Sequence, residues 1–400
     1  MKNPSYDCVI VGGGMVGISF ALMLAKRCVN MRVLLLESKP KAYKWRNGES
    51  TFDSRTTALS YKSGLILKDI DVWNLLKQEL AEIDSIHVSN LGYFGVTRIN
   101  SSDVNVEALG YVAENHRLHA ILARKLAQSN ISSRFSSRIA RVELHETSLE
   151  LTLEDAGSTI STQLLIIADG AGSATAKKVG IHSRLIDHHQ SAIVANLTLG
   201  KQHRGAAFER FINDGSIALL PMSPFQGKDR ASLVWIQSND EANAIMRADD
   251  ASFLARLQAQ FGFRAGLFRT VGVRRSYGLA TSEAEEQTRR RIVLLGNAAH
   301  SLHPIAGQGF NLALRDAECL SSCISEASDN GTDHSSMVVL ENYIDSRRFD
   351  QQRVLDFTKF LPKLFATDCY PLEVGRNGAL LLMEISQPLR RAFARFGMGL

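Results

Sequence analysis

The sequence predicts an α/β protein: a parallel-sheet domain interrupted by an inserted, mainly antiparallel β-sheet and followed by a C-terminal helical segment. Three observations predict it. Asp7-Cys8-Val9-Ile10-Val11 runs directly into a glycine-rich turn, Gly12-Gly13-Gly14-Met15-Val16-Gly17. Ile292–Leu295 is an unbroken apolar run and Gln163–Ala168 is apolar from Leu164 on, as expected of strands buried on both faces of a parallel sheet. Between them, residues 183–278 change to short alternating strands with few long helices, the pattern of an antiparallel sheet.

The first unit is strand, turn, helix and strand. The turn fits G-x-G-x-x-G. Gly12 makes the tight turn, Gly14 lets backbone approach a pyrophosphate, and Gly17 permits close helix–strand contact. Ser19, Ala21 and Ala25 keep the following helix close to the sheet. The second strand, Arg32–Leu36, ends at Glu37, about 20 residues after Gly17. Glu37 is placed to accept hydrogen bonds from ribose hydroxyls, and its charge repels a 2′-phosphate. All parts in register make a Rossmann-like dinucleotide-binding unit. A glycine-rich turn in an unrelated α/β fold is the alternative. The fingerprint alone leaves FAD and NAD open. It occurs once and lacks paired redox cysteines, which weighs against a disulfide reductase. Cys319 and Cys323 share a face of a predicted helix and read as small buried hydrophobes.

The remaining elements follow in order. Lys39–Arg55 is polar and loop-like. Ala113–Ser129 has helical periodicity through Leu118, Ile121, Leu122 and Leu126. Short strands are expected at Ile139–Leu144 and Leu149–Leu153. The run Gln163–Ala168 ends in an acidic turn, Asp169-Gly170. The inserted sheet has strands Ala192–Leu199, Gly215–Leu220 and Ala231–Gln237 and a helix at Asp250–Phe261. Thr281–Arg291 reads as a charged, solvated connection. Arg291–Asp316 then combines a buried strand, a turn at Gly296, a loop stiffened by Pro304, and bare amides at Gly307-Gln308-Gly309 where a helix starts. Such a helix start stabilises negative charge. Residues 335–370 look helical. Domain boundaries read as 1–80, 100–182 and 279–335 for the discontinuous nucleotide domain, 81–99 and 183–278 for a substrate domain, and 336–400 for the C-terminal helical region.

Composition narrows the class. A chain of 400 residues with 45% hydrophobic content can bury a large core. The net charge of +5 is scattered, which excludes a nucleic-acid partner. Five cysteines without a CxxC pair, and no targeting segment, point to a reduced, cytoplasmic protein. No apolar run is long enough to span a membrane. Residues 376–400 set Leu380, Leu381, Leu382, Ile385 and Leu389 against Arg376, Arg390, Arg391 and Arg395. A basic amphipathic segment of this kind suits an anionic membrane surface, the protein core or a partner protein.

Three motifs stand in one order: Gly12-x-Gly14-x-x-Gly17, Ala168-Asp169-Gly170, and Gly296-Asn297 with His303-Pro304-Ile305-Ala306-Gly307-Gln308-Gly309-Phe310-Asn311. That order resembles the single-component FAD-dependent aromatic hydroxylases, the p-hydroxybenzoate hydroxylase group. Within it the chain is similar to the ubiquinone-biosynthesis hydroxylases, whose signature is H-P-x-A-G-Q-G-x-N followed by an acidic residue, here Asp316. Asp53-Ser54-Arg55, Ala58-Leu59-Ser60, Leu220-Pro221 and Val234-Trp235 also look like this branch. Gly-Asn in place of Gly-Asp resembles the 2-octaprenyl-6-methoxyphenol hydroxylase type. The chain departs from the group at Ser173–Lys178, where an arginine is usual and Lys177 stands nearest, at Ala313 for a glycine, and at Gly278 for a proline.

The resemblance implies FAD, held by Gly12, Gly14, Gly17, Glu37, Asp169, Gly170, Gly296, Asn297, Gly307, Gln308, Gly309 and Asn311. NAD(P)H is then a transient co-substrate and O2 the oxidant. The implied reaction is ring hydroxylation of a polyprenylated phenol in ubiquinone biosynthesis, through a flavin C4a-hydroperoxide. Pro304–Gly309 would lie at the isoalloxazine ring. Arg55, His303 and Pro304 are the candidate catalytic residues, and Asp316 a helix-surface or supporting group. His300 and His303 lack a third ligand, so no metal site is expected. Implied partners are other quinone-biosynthesis proteins and, through 376–400, the inner face of the cytoplasmic membrane. The alternatives are a flavin-dependent reductase or dehydrogenase of a prenyl lipid, and a non-catalytic FAD-binding component of a biosynthetic complex.

Overall fold

The computed structural model describes residues 4–41, 55–154, 157–366 and 370–400. Among these residues the strands form three sheets, of eight, nine and three strands. Asp53, Ser54 and Cys369 lie outside the described residues.

The eight-stranded sheet holds the nucleotide-side fold. Its centre is Ser5–Val11, flanked in parallel by Val33–Leu36 and Thr159–Ile167. Ile292–Leu294 adds in parallel beyond Thr159–Ile167, as its apolar sequence requires. Alternate residues serve two separate cores. Cys8, Ile10, Leu35, Leu164 and Ile166 pack under the helices Met15–Arg27, Asn115–Ala127 and Gln308–Asp329. Val9, Leu34, Leu36, Leu165 and Ile167 pack under a small antiparallel layer that includes Ile139–Leu144 and Leu149–Leu153. Burial on both faces is why these strands carry no polar alternation. The chain leaves Ser5–Val11 for Val33–Leu36 on one side and lies against Thr159–Ile167 on the other. The crevice beyond Val11 is therefore a topological switch point, where open α/β sheets bind ligands.

The nine-stranded sheet is antiparallel except where Ala206–Ile212 pairs in parallel with Ser85–Asn90. Its long strands are Ser183–Leu199, Gly215–Phe225, Lys228–Ser238 and Arg275–Ala284. One face packs on the helices Asn239–Arg247 and Asp250–Phe261 through Trp235, Phe253 and Leu257. The helix Asp250–Phe261 has the bounds its periodicity predicts, and Asp249 caps it by accepting from Ser252 N at 2.7 Å.

Two sequence expectations are corrected. Thr281–Arg291 is not a solvated connection. It contributes to Arg275–Ala284 and forms Thr288–Arg289, with Thr281 and Arg291 buried. Arg291 is drawn in by Ser335 and by Asp333 at 2.9 Å. Ala113 and Glu114 end a strand, Gly110–Glu114, rather than start a helix. Glu114 is held there by an ion pair with Arg230, which is 1% exposed. This pair fastens the nine-stranded sheet to the three-stranded one.

The C-terminal chain forms three helices: Met337–Ala366, Tyr370–Ile385 and Gln387–Met398, the last two divided at Ser386. Pro388, lacking an amide hydrogen, sits in the first turn of the last helix. Leu380, Ala394 and Met398 are buried, so one face packs on the core. Leu381, Leu382, Ile385 and Leu389 point outward and are exposed. Among the described residues no helix is long and apolar enough to cross a membrane.

Candidate active site

A cavity of about 710 Å³ opens where all three parts meet. One wall is the nucleotide crevice, with Gly14 and Val16 at the start of the first helix and Gly170 beyond Thr159–Ile167. The second is the inner face of the nine-stranded sheet, with Ile86, Val88, Ala218 and Leu220. The third is helical, with Phe357, Leu361, Phe365 and Phe393. The lining is mostly apolar.

Of the residues singled out in the sequence, Gly14, Gly170, Asn297, His303, Pro304, Gly307, Gln308, Gly309 and Asn311 line this cavity. Gly12, Gly17, Glu37, Asp169 and Gly296 lie outside its lining, and the contacts of the first four shape the backbone around it. Gly12 has φ +114°, and a Cβ there would meet Ala168 O at 2.3 Å. A Cβ on Gly17 would meet Gly12 O at 2.0 Å. Glu37 Oε2 accepts from Gly13 N at 2.6 Å and Oε1 from Lys39 N at 2.8 Å, which sets the glycine turn against the second strand. Asp169 Oδ2 accepts from Thr175 N at 3.3 Å in the short helix Ala174–Lys178. Lys177 of that helix is exposed. Arg55 is also exposed; its carbonyl accepts from Asn115 N at 2.8 Å.

Two helices start at the cavity without a capping side chain. Met15–Arg27 is capped by Gly14 and Gln308–Asp329 by Gly307; neither has a side-chain cap bond or an acid in its first turn. Both positive helix ends are therefore open to an anionic ligand. A Cβ on Gly14, Gly170 or Gly309 would meet nothing within 4 Å, so backbone there faces open space. A cradle with two such ends and three bare glycines fits FAD, which carries a pyrophosphate and a ring that becomes anionic on reduction.

The loop is held by Asn311, which is 2% exposed. Its Oδ1 accepts from Ser60 N and Ser63 Oγ, both at 2.8 Å. Its Nδ2 donates to Ala58 O at 3.0 Å and Gly307 O at 2.9 Å. The side-chain amide is spent on fixing Gly307, which adopts φ +60°, against the strand Thr56–Ser60.

The segment Arg291–Asp316 joins both large sheets. Ile292–Leu294 lies in the eight-stranded one; His300–Ser301, a few residues on, pairs with Arg275–Ala284 in the nine-stranded one. Of the two places the sequence left open for Asp316, helix surface or supporting group, the first is excluded, since it is 0% exposed. It accepts from His300 Nε2 at 3.2 Å and Arg347 Nε at 2.6 Å. Arg347 also bonds Asp350, which takes Arg315 Nε at 2.8 Å. Burial works against ionisation of Asp316, but the His300 and Arg347 contacts outweigh it and hold the carboxyl below the usual range.

His303 is 3% exposed, and neither ring nitrogen has a hydrogen-bond partner among the described residues. Desolvation, with a smaller contribution from His188 at 5.2 Å between ring centroids, pushes its pKa down to about 4. A neutral imidazole therefore faces the cavity at physiological pH. Arg376 is buried at the helical wall, donating to the carbonyls of Leu364 at 3.1 Å and Phe365 at 3.0 Å.

Glu209 escaped the sequence reading. It lies on Ala206–Ile212, a strand not recognised from sequence, and lines the cavity. Its signal was an acid at the inward position between Ala207 and Phe211. Burial raises its pKa to about 7, opposed in part by a hydrogen bond with Ser216.

The comparisons agree with this geometry. The chain is 32% identical over 395 residues to the ubiquinone hydroxylase UbiL of Rhodospirillum rubrum, covering 98% of this chain and 89% of that protein. It is 28% identical over 411 residues to the 3-demethoxyubiquinol 3-hydroxylase of Escherichia coli K12, covering 100% of both. The crystal structure of the p-nitrophenol 4-monooxygenase PnpA from Pseudomonas putida shares the fold, with TM-score 0.74 and 18% identity over 98% of this chain and 97% of that one. A family described as the FAD binding domain matches residues 5–358. With that match spanning the glycine turn, the Asp-Gly turn and the Pro304–Gly309 loop, the chain belongs to this FAD-binding family and is an FAD-dependent monooxygenase with ubiquinone hydroxylases among its relatives.

Proposed function

We propose that this protein hydroxylates the aromatic ring of a polyprenylated phenol in ubiquinone biosynthesis, with NAD(P)H as electron donor. One observation carries the reading: a single cavity runs from two uncapped helix starts into a chamber walled by Phe357, Leu361, Phe365 and Phe393. The helix starts suit a flavin dinucleotide. The apolar chamber suits a phenol bearing an isoprenoid chain, since each buried methylene is worth about 0.8 kcal/mol. Bound FAD supplies electron transfer from NAD(P)H to O2 and delivery of one oxygen atom to the ring, the other leaving as water.

The chain's own residues supply position and a dry site. Gly12, Gly14 and Gly17 would shape the turn that holds the pyrophosphate, and Glu37 would accept from the ribose. Asp169, Gly170, Gly296 and Asn297 would hold the ribityl side of bound FAD. The amides of Gly307, Gln308 and Gly309, in the loop that Asn311 anchors at Gly307, would stabilise charge at the ring. Pro304 and neutral His303 face the substrate. Arg55, just before Thr56 of the cavity wall, would have to turn inward to reach flavin or substrate. The FAD-loaded protein, given NAD(P)H and 2-geranylphenol, is expected to yield hydroxylated phenol carrying label from 18O2. Full turnover under argon would instead indicate a reductase, and FAD that substrate and NAD(P)H never reduce would indicate a non-catalytic component.

The same reading assigns exposed Leu381, Leu382, Ile385 and Leu389, with Arg395, to the membrane that stores the substrate. Ile385 is 79% exposed. Ile385→Glu is expected to reduce co-sedimentation with vesicles containing anionic phospholipid several-fold; unchanged binding would remove the membrane role.

A further inference from the structure

We infer that Glu209 binds the phenol hydroxyl of the substrate and takes its proton, a role that rests on the hydroxylase reading above. On the sheet face that walls the chamber, Glu209 stands opposite Ala218 on one neighbouring strand and Val88 on the other. Ala207 and Phe211 flank it on its own strand. It is the only acidic side chain on the cavity wall among the described residues. Its Oε1 has no accessible surface and no hydrogen-bond partner among them. A carboxyl in apolar surroundings with an unused acceptor costs free energy that packing does not return. A substrate hydroxyl that draws this carboxyl round toward the chamber, which Glu209 already lines, supplies the missing partner.

The electrostatic surroundings suit a base. Burial lifts the Glu209 pKa to about 7, near the pH at which a general base works best. No charged neighbour contributes to that shift. Gly215–Phe225 carries no titratable group, and His87 of Ser85–Asn90 pairs opposite Phe208, beside Arg264. Arg210 of its own strand donates to Gln260 O at 2.8 Å. From the facing helices and loop, Arg376 is held by the Leu364 and Phe365 carbonyls, and His303 is neutral. In the step, the phenol O–H bond breaks and an O–H bond forms on the carboxylate. The electron pair stays on the phenolate oxygen and enriches the ring carbons ortho and para to it. The oxidant is O2 acting through FAD, and the proton passes to solvent as product leaves.

The test compares wild type, Glu209→Gln and Glu209→Asp as FAD-loaded proteins from about pH 5.5 to about pH 9. Binding of 2-geranylphenol is read from the flavin absorbance, and hydroxylation from product formation. Wild-type kcat/KM is expected to rise with a midpoint near pH 7 and then level. Glu209→Gln is expected to lose that limb and about 100-fold in kcat/KM on the alkaline side, mostly in kcat. Glu209→Asp is expected to restore part of the limb. Misfolding is excluded by melting temperature. A raised carboxyl pKa means the folded wild type loses stability as pH rises from the ordinary value through about 7, so the glutamine variant should melt at or above wild type there. Hydroxylation by Glu209→Gln with the wild-type rate and pH profile would overturn the assignment and leave the hydroxylase reading standing. Phenol binding that depends on Glu209 and pH, without hydroxylation, would sustain the assignment and overturn that reading. A wild type that binds no phenol would overturn both.

Discussion

Asp316→Ala is expected to destabilise the protein by roughly 3–5 kcal/mol, seen as a large fall in melting temperature with or without FAD. The reason is the partner left behind. Arg347 is buried beside Asp316 and shares its remaining carboxylate, Asp350, with Arg315. Removing one charge leaves two guanidinium groups against one partly exposed carboxylate in a largely buried layer between the helices Gln308–Asp329 and Met337–Ala366. His300 loses its Asp316 contact, so the loop toward His303 should loosen as well. Replacing Asp316 and Arg347 together by leucine and methionine should recover part of the loss, because paired burial is not itself a large gain. Asp316→Asn gives the pH dependence. The carboxyl pKa is lowered in the folded state, so its contribution is complete above the ordinary value of 3.8 and is lost as pH falls through the lowered value. The gap between wild type and Asp316→Asn should close in that acidic range. A gap that stays constant into acid would show that the ion pair is not its source.

The second large effect separates two glycines of one motif. Gly14→Ala is expected to leave the apoprotein's melting temperature nearly unchanged and to weaken FAD binding about 100-fold, or about 2.8 kcal/mol. Gly14 has φ −73° and ψ 175°, extended backbone open to any residue, and a Cβ there meets no protein atom within 4 Å. The added methyl would intrude only on what lies in the crevice. Gly17→Ala is expected to damage both stability and FAD binding, because its Cβ falls 2.0 Å from Gly12 O. Helix and strand would have to part at their closest point. Fluorescence titration of FAD, beside thermal melts of the apoproteins, distinguishes the two. Equal melting losses in both variants would mean Gly14 is structural.

Legibility followed physical range. The glycine turn, the apolar parallel strands, Ile139–Leu144, Leu149–Leu153 and Asp250–Phe261 were readable because period, capping and turn chemistry act within a few residues. The sheet of Thr56–Ser60, Gly110–Glu114 and Ala81–Ile83 was not, since its pairings join distant parts of the chain. Thr281–Arg291 was misread because its charges suggested solvent, whereas Arg291 is buried against Asp333 and Ser335. Asp316 was left between the helix surface and a supporting place for the same reason: only its neighbours reveal that it is paired and buried.

By itself the sequence determined the glycine turn at Gly12–Gly17, the two-faced strands beside it and the bare helix start at Gly307–Gly309. Each is a local property of backbone freedom and side-chain hydrophobicity. The tertiary structure decided the rest of the site. It alone set Pro304 and His303 between two sheets by pairing His300–Ser301 with Arg275–Ala284. It alone spent Asn311 on Gly307 and left Glu209 in an apolar wall with an acceptor to spare. Burial and partner choice depend on groups far apart along the chain, and a one-dimensional pattern carries no record of which of them will meet.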